Sequence, residues 1–399
     1  MIWPFIFISY ASLFTLGISD NVRGPLFPEI MKQFGVSDSM GALMYVLSSI
    51  AGLAASYAAH SLLRRFDRLQ IIQGAALTMV IALVGLAASP AFSVFLLFSF
   101  LMGVSLGILG LIPNILVPIG STPQRKQRML SGLHTMYGLS SLLAPLLTAA
   151  IAAATGNWRW VFATVALAPV ALLIYSFHPT HRSLHKKVEI SSEDRRANKK
   201  KNLAPQIFLA IMLSSAVAAE IMISSRLALY MQRALNFSTE AASLYVTYFF
   251  VSMMVGRLLF SFLHFRRSPQ YLLSTSLILT GLSIAAGIYV NPLFLALTGF
   301  TIAPFYPMSI AWVSSEFPTD LDAAVSYMKA SDSIVLILMH LAIGKLTDVF
   351  SIQTAILAGI SFVVISLLMV VSYKPLFHKP TRPEVKPKAP HISPTVFHP

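Results

Sequence analysis

The sequence predicts an all-α membrane protein: twelve transmembrane helices arranged as two related six-helix halves. Three observations carry this. The 399 residues are 56% hydrophobic and only 11% charged, against about 25% charged in an ordinary soluble domain, and mean hydropathy is +0.73. A soluble protein of this length buries a core, but not this much apolar surface. Segments of roughly 20 apolar residues, the length that crosses a bilayer, recur along the chain. Finally, a pattern near the start of the first half returns in the second.

Twelve helices are expected at about 4–33, 38–62, 69–88, 92–118, 128–154, 158–177, 204–233, 239–263, 270–290, 293–315, 322–346 and 351–373. The first ends at Phe34-Gly35. The second and third are separated by Arg64, Arg65 and Arg68, the third and fourth by Ser89-Pro90, and the fourth and fifth by Arg125, Lys126 and Arg128. A polar connector, 178–203, follows the sixth with Arg182, Lys186, Lys187, Arg195, Arg196, Lys199, Lys200 and Lys201. Arg266 and Arg267 follow the eighth, Asn291-Pro292 breaks the ninth from the tenth, and Phe317-Pro318 the tenth from the eleventh. The tail, 374–399, holds many Pro, Lys and His residues and reads as disordered.

With twelve helices every basic cluster lies on one side, including Lys374, Lys379, Arg382, Lys386 and Lys388 of the tail; the other side holds Lys32, Arg159, Arg233 and Lys345. This is the positive-inside bias, and it places both termini in the cytoplasm of a plasma (bacterial inner) membrane protein. The formal charge of +14 is therefore a topology signal, and no nucleic-acid partner is expected, because no basic segment is interleaved with aromatics. Cysteine is absent, which excludes disulfides and thiolate metal sites. The first segment has no basic leader or cleavage site and reads as a retained helix. No nucleophile–base constellation, metal cluster or phosphate loop is present, so neither an enzyme nor a cofactor or metal is expected.

The connector divides the chain into 1–177 and 204–373, with 178–203 as a cytoplasmic basic linker. "FGVSDSMGAL" (34–43) follows the first helix and "LNFSTEAASL" (235–244) the seventh, at an offset of 201. Upstream of each stands an acid and then an arginine: Asp20 with Arg23, and Glu220 with Arg226. Parallel six-helix repeats related by an axis along the membrane normal are an architecture of secondary transporters.

These features resemble the major facilitator superfamily. Its loop signature between the second and third helices is degenerate here, since "HSLLRRFDRL" (60–69) has His60 where glycine is usual. Within the superfamily, the chain resembles the fucose–glucose–H+ symporter family of sugar permeases. The resemblance lies in "GISDNVRGPLFPEIMKQFGVS" for the first helix, "NILVPIGS" (114–121) with "RMLSGLHTMYGLSSLLAPLL" (128–147) for the fourth and fifth, residues 218–259 with Gly256-Arg257 for the seventh and eighth, and "GFTIAPFYPMSIAWV" (299–313) for the tenth. It implies the major facilitator fold and sugar uptake coupled to H+. It breaks at two positions: the family's carboxylates of the first and fourth helices fall on Gly24 and Gly110 of this chain, so its proton-coupling acids do not carry over.

The membrane segments carry charges of their own, each costing roughly 3 kcal/mol on insertion scales unless it faces a cavity or a partner. Asp20 and Arg23 share a helix face at i and i+3. Either the first helix ends near residue 19 and they are interfacial, or it runs about 45 Å and they line a cavity. Glu220 and Arg226 are six apart, so each is expected to pair across the bundle, Glu220 with Arg23 or Arg226 with Asp20. Glu220, flanked by apolar residues, is the candidate coupling acid, or else half of a structural ion pair. Lys329 and Asp332 are spaced for a salt bridge. His134 is a sugar or carboxylate contact or a packed polar group, His340 reads as a core residue, and Arg257 as snorkelling to the interface or bracing the bundle. Asn114, Tyr137, Tyr230, Tyr245, Tyr248 and Tyr306 are candidates for a midplane site, since sugars take stacked aromatics and hydrogen-bonding groups, although membrane aromatics also pack and anchor. Gly103, Gly107 and Gly110 mark a close helix contact. The expected function is secondary active import of a sugar or similar small polar solute by a monomer using H+. The rival is proton-driven efflux of drugs or amphipathic metabolites.

Overall fold

A computed structural model describes residues 1–122, 124–178, 203–262, 267–317 and 321–377. The described residues form helices and no strand. Twelve spans are long and apolar enough to cross a membrane: α1 (Trp3–Phe34), α2 (Asp38–Leu63), α3 (Arg68–Ala88), α4 (Phe92–Gly120), α5 (Arg128–Thr155), α6 (Arg159–Ser176), α7 (Leu203–Leu235), α8 (Thr239–Phe260), α9 (Pro269–Tyr289), α10 (Leu293–Glu316), α11 (Ala324–Val349) and α12 (Ile352–Phe377). Twelve crossings put the start of α1 and the end of α12 at one face, the terminal face; the opposite one is the far face. Most of the expected basic linker and most of the tail lie outside the described residues. The helix α12 nevertheless continues through Phe377, beyond the expected end at 373, because Tyr373 and Phe377 stack on each other and on Phe208 of α7.

Prolines set the internal breaks. The helix α1 is interrupted at Val22, between Trp3–Asn21 and Arg23–Phe34. Pro25 has no N–H to give the Asn21 carbonyl and its ring crowds that turn. Pro169 acts likewise near the break in α6 at Ala166, and Pro307 at Ala303 in α10. Residues 20–23 are therefore not a helix end meeting water. They sit at a kink in a continuous span, where main-chain and side-chain polar groups turn inward.

Packing repeats between the halves. In the first, α2 packs on α4 and α1 on α5; in the second, α8 packs on α10 and α7 on α11. The halves meet through α2 with α11, α5 with α8, and the far segment of α1 with α7. Gly103 and Gly107 of α4 let the α2 backbone close in, since a β-carbon at either would lie 2.2 Å from the carbonyl oxygen of Ser48 or Gly52. Gly24 does the same between the halves: its missing β-carbon would lie 2.9 Å from the Ser224 carbonyl oxygen of α7.

Candidate functional site

Two polar layers lie between the halves. At 1.5 Å per residue, the first stands about 20–30 Å below the far ends of its helices and the second about 10–16 Å.

The deeper layer is a set of polar and charged side chains brought together from six helices. Glu220 of α7 pairs with Arg257 of α8 at 3.6 Å, their side chains 17% and 35% exposed. That is longer than a direct hydrogen bond, so the guanidinium balances the charge without locking the carboxylate. Asp332 of α11 accepts a 2.8 Å hydrogen bond from Ser214 Oγ of α7. Lys329, one turn away, bonds the Tyr306 hydroxyl of α10 and forms no ion pair with Asp332 within 4 Å. From the first half, Asn21 Nδ2 of α1 donates to Ser141 Oγ at 3.0 Å and to the Tyr137 hydroxyl at 3.5 Å, tying the α1 kink to α5. Tyr137 stands in the field of Asp20, Glu220 and Arg257. His134, one turn along α5, stands in that of Lys329 and Arg257. His134 and Lys329 are exposed although groups of both halves stand near them.

In the shallower layer the cations are buried. Arg226 of α7 is 1% exposed and Arg23 of α1 5%. The Arg226 guanidinium lies 4.0 Å over the Phe27 ring and 5.4 Å from that of Tyr45, and Arg23 lies 4.9 Å from the Tyr45 ring. His340 of α11 stacks on Tyr45 of α2 at 4.4 Å, nearly parallel. Arg23 forms an ion pair with Asp20. Arg226 has no hydrogen bond on any of its three nitrogens.

Two expected pairings are thereby corrected. Glu220 does not reach Arg23, nor Arg226 Asp20: Arg257 on the neighbouring helix is nearer to Glu220, and Asp20 is already held by Arg23 on its own helix. The expected Lys329–Asp332 bridge does not close within 4 Å either; Ser214 bonds Asp332 and the Tyr306 hydroxyl stands near Lys329. Three further candidates stand apart from the network. Asn114 Nδ2 donates to the Gly110 carbonyl of its own helix at 2.7 Å. Tyr230 is buried in the apolar core, and Tyr248 is exposed against Tyr245.

The far face is clasped shut. Arg233 at the end of α7 meets Asp38 at the start of α2 at 2.5 Å. Asp348 at the end of α11 accepts from the Asp38 and Ser39 amides at 2.7 and 3.0 Å. Thr239 at the start of α8 donates to Glu29 of α1 at 2.7 Å. These contacts join the halves at the far face. Sequence reasoning missed the clasp, but its signal was present: Asp38 and Thr239 stand 201 residues apart, in the two repeated segments.

Twelve spans in two similarly packed halves, with a polar layer between them and bonds across one face, are the architecture of a multi-pass membrane transporter. A family model described as Major Facilitator Superfamily matches residues 9–292 and 207–397, and the chain belongs to that superfamily. It is 22% identical over 387 residues to a Protein TsgA homolog of Buchnera aphidicola subsp. Baizongia pistaciae, covering 92% of this chain and 96% of that one. It is 25% identical over 291 residues to Protein TsgA of Escherichia coli O6:K15:H31, covering 71% and 72%. Among solved structures, a D-xylose–proton symporter aligns with a TM-score of 0.72 at 15% identity, covering 93% of this chain and 97% of that one. A bacterial homologue of the human lysosomal transporter Spinster, inward-facing, aligns at 0.69 and 13% identity, covering 94% and 97%.

Proposed function

We propose that the chain is a secondary active transporter of a small polar solute, a sugar or similar metabolite, coupled to H+ and working by alternating access. The observation that carries this is the pair of acids, Glu220 and Asp332, in a water-accessible cavity whose other groups come from both halves. A carboxylate that reaches water only through such a cavity exchanges its proton with one side of the membrane at a time, which is what coupling requires. The two-half motion takes 1–177 and 204–373 as its bodies. The basic bias puts both termini in the cytoplasm, so the clasped face is the outer one and this conformation faces inward. Tyr137, Asn21, His134 and the Lys329–Tyr306 pair are the solute contacts: a ring face, an amide, an imidazole and a cation suit a hydroxylated molecule. Efflux of amphipathic compounds calls for an apolar cavity with one acid, and the paired charges argue against it. The scaffold shared with a D-xylose–proton symporter supports the reading at the level of the fold.

The test begins with a thermal-shift screen of purified protein against sugars, organic acids and peptides. The stabilising solute is then assayed in proteoliposomes under an imposed pH gradient. Glu220→Gln is expected to abolish accumulation while solute exchange survives. Gradient-driven accumulation that continues undiminished in the variant removes Glu220 from the mechanism.

A further inference from the structure

The proposed transport cycle uses the deeper layer and leaves Arg226 without a task. We propose that Arg226 of α7 and Arg23 of α1 form a binding site for one small anion, held between the halves when the far face is closed. The Phe27 ring covers a face of the Arg226 guanidinium at 4.0 Å. An arginine offers its N–H groups in the plane of the fork, and Nε, Nη1 and Nη2 are all buried without hydrogen-bond partners. Arg23 gives Nη2 to Asp20 and keeps Nη1 unpartnered. The Tyr45 hydroxyl is buried and unpartnered beside them.

The charges point the same way. Asp20 answers Arg23. Asp38 lies within the field of Arg226, but its ion pair is with Arg233. No carboxylate among the described residues bonds Arg226, and a buried guanidinium without a bonded counter-charge is what a bound anion satisfies. Its donors come from both halves, so the anion stabilises the closed far face and leaves when the halves part. The chemistry is that of a halide, of a small oxyanion, or of a carboxylate or phosphate group on a larger solute.

The experiment needs no transport and stands apart from the test of proton coupling. Purified full-length protein in nanodiscs is unfolded thermally in gluconate at fixed ionic strength, while chloride, nitrate, sulfate or phosphate replaces gluconate. A parallel arm uses lactate and glycerol phosphate. A saturable rise in Tm is expected in wild type. A response to inorganic ions assigns a free ion, and one confined to the organic anions assigns a substituent of a solute; either supports the site. Arg226→Gln is expected to weaken the response at least about tenfold, the loss of a charge-assisted contact. Lys345→Gln, which removes an exposed far-face cation, is expected to leave it unchanged. Should Arg226→Gln not fold, Arg226→Lys keeps the charge and loses the fork, and a weaker response is again expected. No saturable response in wild type overturns the proposal, as does an unaltered response in a folded Arg226 variant.

Discussion

The two charged layers use the same residue types under opposite conditions. In the deeper one, Glu220 and Arg257 remain 17% and 35% exposed and stand 3.6 Å apart. In the shallower one, Arg226 is 1% exposed and clamped against an aromatic ring. A cation–π contact contributes about 0.5–2 kcal/mol, less than the several kcal/mol that burying an ion costs, so stacking alone does not offset the burial of Arg226. The deeper pair keeps part of its surface open. In the shallower layer both guanidiniums are buried against rings of the first half.

Three substitutions probe that contrast. Arg257→Gln is expected to have the largest effect. Breaking a fully buried pair costs about 3–5 kcal/mol; with both partners partly exposed the loss is discounted to about 1–2 kcal/mol. Solute accumulation in proteoliposomes should fall about tenfold or more, and an unchanged rate would remove this pair from the cavity's working parts. Gly24→Val comes next. Overpacking a tight contact costs about 1–3 kcal/mol, here charged entirely to the closed conformation. The chain contains no cysteine, so a single Gln232→Cys reports on the far face, and its labelling should rise about tenfold in the Gly24 variant. Equal labelling would mean that α1 and α7 do not separate there. Arg233→Gln is the mildest. Its side chain is 43% exposed, and such bridges contribute about 0.2–1 kcal/mol, so labelling should rise about two- to fivefold. Salt should mimic the effect in wild type by screening the bridge, and labelling indifferent to both would leave the clasp without a role.

The fold was legible because hydropathy reports burial in lipid residue by residue. The expected spans 69–88 and 239–263 correspond to Arg68–Ala88 and Thr239–Phe260. Half of the site was legible too: an intramembrane charge announces itself, and i, i+3 spacing identified Asp20 with Arg23. Partners across the bundle were not legible. Arg257 lies far along the chain from Glu220 and on another helix, and only the crossing of α7 and α8 brings them together. Asn21 was not among the expected site residues, yet its amide bridges to α5. The first helix was expected to run 4–33, and its break at Val22 came only from the structure.

Gly24 occupies the position where the resembling sugar permeases carry a carboxylate, and here the α7 backbone fills the space a side chain would need. The seal between the halves thus depends on atoms that are absent, and it can be lost by addition but hardly improved by it. For an evolving transporter this is a one-way constraint. An acid at residue 24 would require α1 and α7 to move apart, and the acids of the deeper layer, Glu220 and Asp332, stand on α7 and α11 of the other half.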